Sequence, residues 1–332
     1  MNKIPLVSAI VSTYNSEKFI RGKLDDLLEQ TISDRLEIVI VNSGSLQNED
    51  IVIKEYLNKY SNIKYIKTEN RETIYKAWNR GIKISTGKYI TNANTDDRLK
   101  INAFEILSSE LEKNDDIALV FANQYISSIP NERYNEVKNK KKWVIPEFDY
   151  FEQLDRSIVL SQPMWRSSLH FVDDIWFDEK LEICGDHEFA LHLQQIYEIK
   201  YIPSALGVFY FDNKRSNRSL QNMNVLEVEK LEVTKNYIKK YIDALNEDEL
   251  DSIVNKYAFS IKLPIIFLRG KNIINLYKSP QKHPFTHEFV YYVMALTFQR
   301  LKQFEKAIYC CKKLLKRKKS RRVSELLQQI IH

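Results

Sequence analysis

Over the first 125 residues the chain alternates between two periodicities. LVSAIVST (6–13), LEIVIVN (36–42), IKYIKT (63–68), KYITNAN (88–94) and IALVFAN (117–123) are short β-branched runs. Between them, stretches such as FIRGKLDDLLEQ and ETIYKAWNRGIKIS space their apolar residues three and four apart. The first pattern predicts strands and the second amphipathic helices. Strand and helix in alternation predict an α/β fold, a mostly parallel sheet with helices on both faces. Ligands of such sheets gather beyond the carboxyl ends of the strands. STYN (12–15), VNSGS (41–45) and NTDD (94–97) all fall at those ends, so three loops converge on one crevice.

From about 126 to 185 the pattern turns irregular, rich in aromatics and charges and broken by Pro130, Pro146 and Pro163. Long irregular segments inside a compact domain are usually functional. GDHEFALHLQQIYE (185–198) then reads as a helix with Asp186 near its start, followed by the strand KYIPSALGVFYF. After about residue 220 the reading is continuous helix. Ala295, Phe298, Phe304 and Ala307 are spaced as in one tetratricopeptide unit, though a plain helical appendage is the simpler account. The expected organisation is a domain over 1–220, with halves 1–125 and 126–220, and a C-terminal α-helical region over 221–332, tetratricopeptide-like near 287–332.

Composition narrows the function classes. The net charge of +6 arises from 50 basic and 44 acidic residues that mix along most of the chain, which argues against nucleic acid as a partner. No apolar run reaches the roughly 20 residues that span a bilayer. The N-terminal MNKIPLVSAIVSTYN reads as a first strand rather than a signal peptide. Three cysteines, Cys184, Cys310 and Cys311, form neither a disulfide framework nor a C-x-x-C metal pattern and suit a reducing cytoplasm. Seven glycines leave no G-x-G-x-x-G and no P-loop, which disfavours a dehydrogenase or an ATPase. A nucleotidylyltransferase is disfavoured for a similar reason, because VSTYNSEKF has no glycine.

The pair Asp96 and Asp97 poses a question, since adjacent carboxylates at a strand end repel without a counter-charge. A turn or helix N-cap is one answer. A bound divalent cation, Mn2+ or Mg2+, is the other.

Taken in order, PLVSAIVSTYNSEKFI, EIVIVNSGS, NRGIKISTGKYI, NTDDR and GDHEFAL resemble the family 2 glycosyltransferases of the GT-A fold. RETIYKAWNRGI and SQPMWRSSLH resemble more narrowly a bacterial branch that transfers sugars to cell-surface polysaccharides. The resemblance implies a Rossmann-like nucleotide-binding half, a metal-assisted site for a nucleoside-diphosphate sugar, and an inverting mechanism with a saccharide or lipid-linked acceptor. In the D-x-D pattern of the family Asn94 takes the first position and Asp96 the second, so Asp96 and Asp97 jointly are the expected metal ligands. Asp186 matches the acidic residue before the acceptor-side helix and is the expected base. Thr13, Tyr14 and Asn15, with Asn42, Ser43, Arg71, Asn94 and Asp96, are the expected donor contacts. Asn42 and Ser43 stand where relatives carry two aspartates, and an amide can both accept from N3 and donate to O4 of uracil or thymine, which points to UDP or dTDP. Arg71 falls where the family places a basic residue near the diphosphate, with a surface pairing to Glu69 or Glu72 as the other reading.

Trp165 as a stacking ring, Arg166 as an anion contact and His187 are the expected acceptor contacts. DNKRSNRS (212–219) is a candidate basic lid. KKLLKRKKSRR (312–322) would suit an anionic lipid surface or a protein partner, placing the chain at the inner face of the membrane. The rival class is a non-catalytic, carbohydrate-binding or scaffolding subunit, which the amides at Asn42 and Asn94 keep open.

Overall fold

The computed structural model describes residues 4–143, 145, 153–154, 157–159, 162–211, 222–257, 287–300, 302–317 and 320–331. The lid candidate at 212–219 lies outside these residues. The chain forms two compact units, Met1–Leu231 and Glu232–His332.

The first unit is built on one eight-stranded sheet. Its strands are β1 (Val7–Thr13), β2 (Leu36–Ser43), β3 (Ile63–Thr68), β4 (Tyr89–Asn92), β5 (Arg98–Leu99), β6 (Ile117–Ser127), β7 (Met164–Arg166) and β8 (Glu198–Tyr210). They lie in the order β3-β2-β1-β4-β7-β6-β8-β5. β3, β2, β1 and β4 are mutually parallel, β7 runs antiparallel to both β4 and β6, and β5 runs antiparallel to β8. The five early strands read from the pattern are all present. β5 and β7, two and three residues long, are additions that no periodicity can signal.

Helices cover both faces because strand order reverses at β1. The path β1, α1 (Glu17–Leu28), β2, α2 (Glu49–Leu57), β3 moves outward, and α3 (Ile74–Lys83) then carries the chain back across the sheet to β4. Right-handed crossovers place helices reached by opposite moves on opposite faces. Val7, Ala9, Val11, Ile38 and Ile40 accordingly pack with Ile20, Leu24 and Leu27 of α1, Ile53 of α2 and Phe104 and Leu107 of α4 (Ala103–Lys113). The alternate residues Ile10, Val39 and Val41 meet α3 at Gly81. In such sheets the carboxyl ends of the strands at the reversal, here β1 and β4, are the usual seat of a ligand.

A second apolar layer covers the α3 face. α5 (Ser168–Phe171) and α6 (Gly185–Gln194) bring His170 and Phe189 onto Trp165 and Phe177, with Phe177 and Phe189 stacked at 4.3 Å between ring centroids. α7 (Met223–Ala244) follows β8.

The second unit contains α8 (Glu247–Tyr257), α9 (His287–Arg300), α10 (Phe304–Arg317) and α11 (Arg321–Ile331). Ala295, Phe298 and Ala307 are buried between its helices, whereas Phe304 is exposed. Asp251 of α8 accepts from the Tyr291 hydroxyl and the Lys313 ammonium, so one lysine of the basic run is already paired. Cys310 and Cys311 are buried free thiols. No helix among the described residues is long and apolar enough to cross a membrane.

Candidate active site

The loops after β1, β2 and β3 are locked together by side chains rather than by secondary structure. Glu49, fully buried at the start of α2, accepts from Ser16 N at 2.5 Å, from the Ser45 hydroxyl at 2.6 Å and from the Thr13 hydroxyl at 3.4 Å. Asn15 has a left-handed backbone, φ 51°, and its Oδ1 accepts from Leu46 N at 3.1 Å. Asn42 is 1% exposed, its Oδ1 taking Ser45 N at 2.9 Å and its Nδ2 facing the Tyr65 hydroxyl at 3.2 Å. The Ser43 hydroxyl spans Glu72 N and O of the third loop, at 2.5 and 3.2 Å.

These contacts correct the role expected for Asn42 and Ser43. Both side chains are turned inward and engaged, so they shape the loop and present no base-reading edge to the crevice. The side chains left open there are Tyr14, half-buried, and Asn15 and Arg71, exposed. The Arg71 guanidinium lies 4.4 Å over the Tyr14 ring. Neither expected carboxylate pairing of Arg71 appears among the described residues, because Arg80 and Lys76 take Glu72.

At the end of β4 the two adjacent carboxylates separate. Asp97 is 1% exposed; its Oδ1 accepts from Tyr210 N at 3.0 Å and its Oδ2 from Asn94 Nδ2 at 3.3 Å. It therefore ties the turn to β8. Asp96 is half-buried, and burial raises its carboxyl above the ordinary value against the opposing pull of Lys23 and Arg98. A divalent cation fits this arrangement: one or two carboxylates suffice when phosphate oxygens and water complete the octahedron. Among the described residues no cluster of three or more His, Cys, Asp or Glu would cage a metal unaided. The buried Asn92 Oδ1, which has no hydrogen-bond partner, adds an oxygen at the end of the same strand.

Asp186 lies in the first turn of α6. Gly185 before it lets that helix close on α3, since a Cβ there would sit 2.7 Å from the Tyr75 ring. The Tyr75 hydroxyl donates to Ile183 O at 2.5 Å and lies 3.3 Å from Asp186 Oδ1, which also accepts from His187 N at 2.8 Å. The side chain itself is open to solvent. Desolvation by the protein packed around it nevertheless raises the carboxyl, and the His187 N–H and Tyr75 hydroxyl offset that only in part. Because Tyr75 opens α3 just past β3, Asp186 stands at the carboxyl edge of the sheet with the loops above.

Three expected acceptor contacts lie elsewhere. Trp165 is 1% exposed in the aromatic layer and donates its indole N–H to His170 Nε2 at 2.8 Å. That imidazole is neutral, burial pulling it down to about 4. Arg166 pairs across β7 with Tyr89, the first residue of β4, at the amino edge of the sheet. Its guanidinium donates to Ile117 O at 2.9 Å, Leu111 O at 2.5 Å and Asn114 O at 2.9 Å. His187 is 3% exposed, its ring against Gln153 O. The direction of β7, which the residues do not reveal, decides the matter for Arg166, and the aromatic layer packed on its ring decides it for Trp165. Tyr75 and Glu49 are supporting residues that the sequence reading missed; the available signals were an aromatic with a polar tip in a buried turn and an acid at a helix start.

Residues 8–168 match the family described as Glycosyl transferase family 2. EpsJ of Bacillus subtilis, named an uncharacterized glycosyltransferase, is 29% identical over 213 residues, 62% of this chain and 61% of its own length. Chondroitin synthase of Pasteurella multocida is 27% identical over 267 residues, 78% of this chain and 26% of the synthase. The chain thus spans less than two thirds of either relative. A fragment of S. aureus TarS solved with UDP-GlcNAc superposes with a TM-score of 0.56 at 16% identity, covering 94% of this chain and 91% of that one. The mannosyltransferase of Pyrobaculum calidifontis, solved with GDP-Man and Mn2+, gives 0.52 at 13% identity, covering 94% and 87%. Residues 8–168 thus resemble the family 2 glycosyltransferases, and the first unit has the GT-A fold.

Proposed function

We propose that this chain transfers a sugar, with inversion, from a nucleoside-diphosphate sugar to a hydroxyl of a saccharide or lipid-linked acceptor in polysaccharide synthesis. The observation that carries the reading is Asp186: a carboxylate that accepts from His187 N, faces the Tyr75 hydroxyl and is open to solvent at the carboxyl edge of the sheet. In a direct displacement the acceptor oxygen bonds to the anomeric carbon as the bond to the diphosphate breaks and the electron pair leaves on the diphosphate. The acceptor proton goes to a base on the opposite face. Asp186 takes that proton. Tyr14 and Arg71 line the donor side, Arg71 offering charge to the diphosphate. Asp96 would hold the divalent cation, Asp97 being engaged by Asn94 Nδ2 and Tyr210 N. The cation, when bound, neutralises charge that develops on the leaving diphosphate.

With Asn42 engaged internally, preference among bases rests on the remaining loop residues and on the neighbours. The mannosyltransferase of Pyrobaculum calidifontis was solved with GDP-Man and TarS with UDP-GlcNAc, and on the TarS likeness we take a uridine diphosphate sugar, or its thymidine analogue, as the donor. The exposed Lys312, Lys316, Arg317 and Arg321 would suit an anionic surface near a lipid-linked acceptor. A scaffolding subunit would have no use for an oriented, solvent-open base, which disfavours that reading.

Calorimetric titration with UDP, dTDP and GDP, each with and without Mn2+, tests the donor site. Metal-dependent binding of UDP or dTDP is the expected result. Tighter binding of GDP would move the donor to a guanosine diphosphate sugar, and binding of none would overturn the reading.

A further inference from the structure

Beneath the Asp96 turn lies a buried cationic network that the proposed chemistry does not use. Lys23 of α1 is fully buried; its ammonium donates to Gln162 Oε1 at 2.7 Å and lies 3.9 Å from Asp26 Oδ2. Asp26 Oδ2 in turn accepts from Leu99 N at 2.7 Å. Arg98, 2% exposed, donates through Nη1 to Thr95 O at 2.8 Å and Asp97 O at 2.6 Å, the carbonyls on either side of Asp96. Its Nη2 reaches Phe19 O at 3.3 Å and Asn131 Oδ1. Gly22 makes room for this, since a Cβ there would lie 2.7 Å from Arg98 Nη2.

Gln162 is where this network meets the segment leading into β7. Its Oε1 holds Lys23 and its Nε2 lies 3.4 Å from Arg98 O. Its backbone is left-handed, φ 60°, which costs about 1–3 kcal/mol for a residue with a Cβ. Stability does not account for the arrangement. Burying a lysine carries a desolvation penalty, and apolar replacement of buried ionic groups is often neutral or stabilising. Burial pulls the Lys23 amine down to about 8 against the charges of Asp26, Asp97 and Asp96. Buried polar groups of this kind are best understood as fixing one backbone arrangement.

We propose that Gln162 and Lys23 are a positioning pair for the donor site: through Asp26 and Arg98 they fix the backbone carbonyls that bracket Asp96, so the segment entering β7 sets the geometry of metal-dependent nucleotide binding. The inference rests on the donor-site reading above. It also gives SQPMWRSSLH a function that neither Trp165 nor Arg166 supplies, lodged in its second residue.

The test compares wild type, Gln162→Leu, Gln162→Glu and Lys23→Met by calorimetry with UDP, dTDP and GDP, with and without Mn2+, alongside thermal melts. Gln162→Leu and Lys23→Met should weaken the Mn2+-dependent binding by about tenfold or more, as loss of groups supporting a metal ligand does. Metal-free binding of the same nucleotide should stay unchanged. Gln162→Glu keeps an acceptor for Lys23 but loses the donor to Arg98 O, so its Mn2+-dependent affinity should fall between wild type and Gln162→Leu. Variants that melt earlier yet bind the metal–nucleotide pair like wild type would reduce the network to a structural role and overturn the inference while leaving the donor site standing. A wild type with no metal-dependent binding would remove both. Gln162→Leu carries the test if Lys23→Met does not fold.

Discussion

Glu37 at the amino edge of the sheet and Asp186 and Asp96 at the carboxyl edge are held in opposite ways. At the amino edge Glu37, on β2, is 4% exposed and fully engaged: Ser8, Thr86 and Lys64 all donate to it, the Lys64 ammonium at 2.6 Å. Those donors outweigh desolvation and hold its carboxyl below the ordinary range. At the carboxyl edge Asp186 and Asp96 carry raised carboxyls, because desolvation there meets too few donors. A carboxylate satisfied by its own protein stabilises the fold; one left short is available to a proton or a cation. The same division separates Arg166, spent on three carbonyls at the amino edge, from Arg71, stacked and open at the other.

The sharpest way to break the comparison is Asp186→Asn. Nucleotide binding should persist while transfer falls about a hundred- to ten-thousand-fold, the range of a positioned general base. Steady-state release of nucleoside diphosphate in the presence of acceptor measures it, and near-normal turnover would remove Asp186 from the chemistry. Glu37→Ala should do the reverse. It strands the Ser8 and Thr86 donors and should cost about 2–4 kcal/mol by urea unfolding, with turnover per folded molecule unchanged.

pH separates the two edges again. Glu37 has a depressed carboxyl in the fold, so its stabilisation is present above the unfolded value and is lost as pH falls through the lower folded one. Asp186 must be ionised to act, and its raised carboxyl means that the rate declines already at a pH above the ordinary carboxylate range. Rate and melting profiles taken together should therefore show a window in which the protein is folded but slow; coincident acid limbs would contradict the assignment. The smallest effect belongs to Arg71→Ala, which should weaken nucleoside diphosphate binding about two- to fivefold, as expected for one exposed charge facing the diphosphate.

Much of the first unit was legible because strands buried on both faces read as runs of Val and Ile, and the amphipathic period of α1 and α3 is preserved in the residues. The site was legible in its positions more than in its roles. Asp96 and Asp97 are the same residue type one place apart, and what divides them is Tyr210 N, 113 residues away, which claims Asp97. Asn42 looked like a base-reading amide because its type suits uracil, but its contacts with Ser45 and Tyr65 depend on how two loops fold together. Arg166 sits in a motif that resembles family 2 glycosyltransferases, yet it lies at the amino edge because β7 runs antiparallel to β4, and three residues carry no sign of direction. Lys23 reads as one more surface lysine on a helix until the fold buries it.

The adjacent aspartates test the central claim most directly. Calorimetric titration of Asp96→Asn and Asp97→Asn with the nucleotide that wild type binds, in the presence of Mn2+, compares an unsatisfied carboxylate with a satisfied neighbour. Asp96→Asn should lose the metal-dependent part of the affinity, whereas Asp97→Asn should keep it and melt at a lower temperature. Loss of metal-dependent binding in Asp97→Asn with its retention in Asp96→Asn would contradict the account.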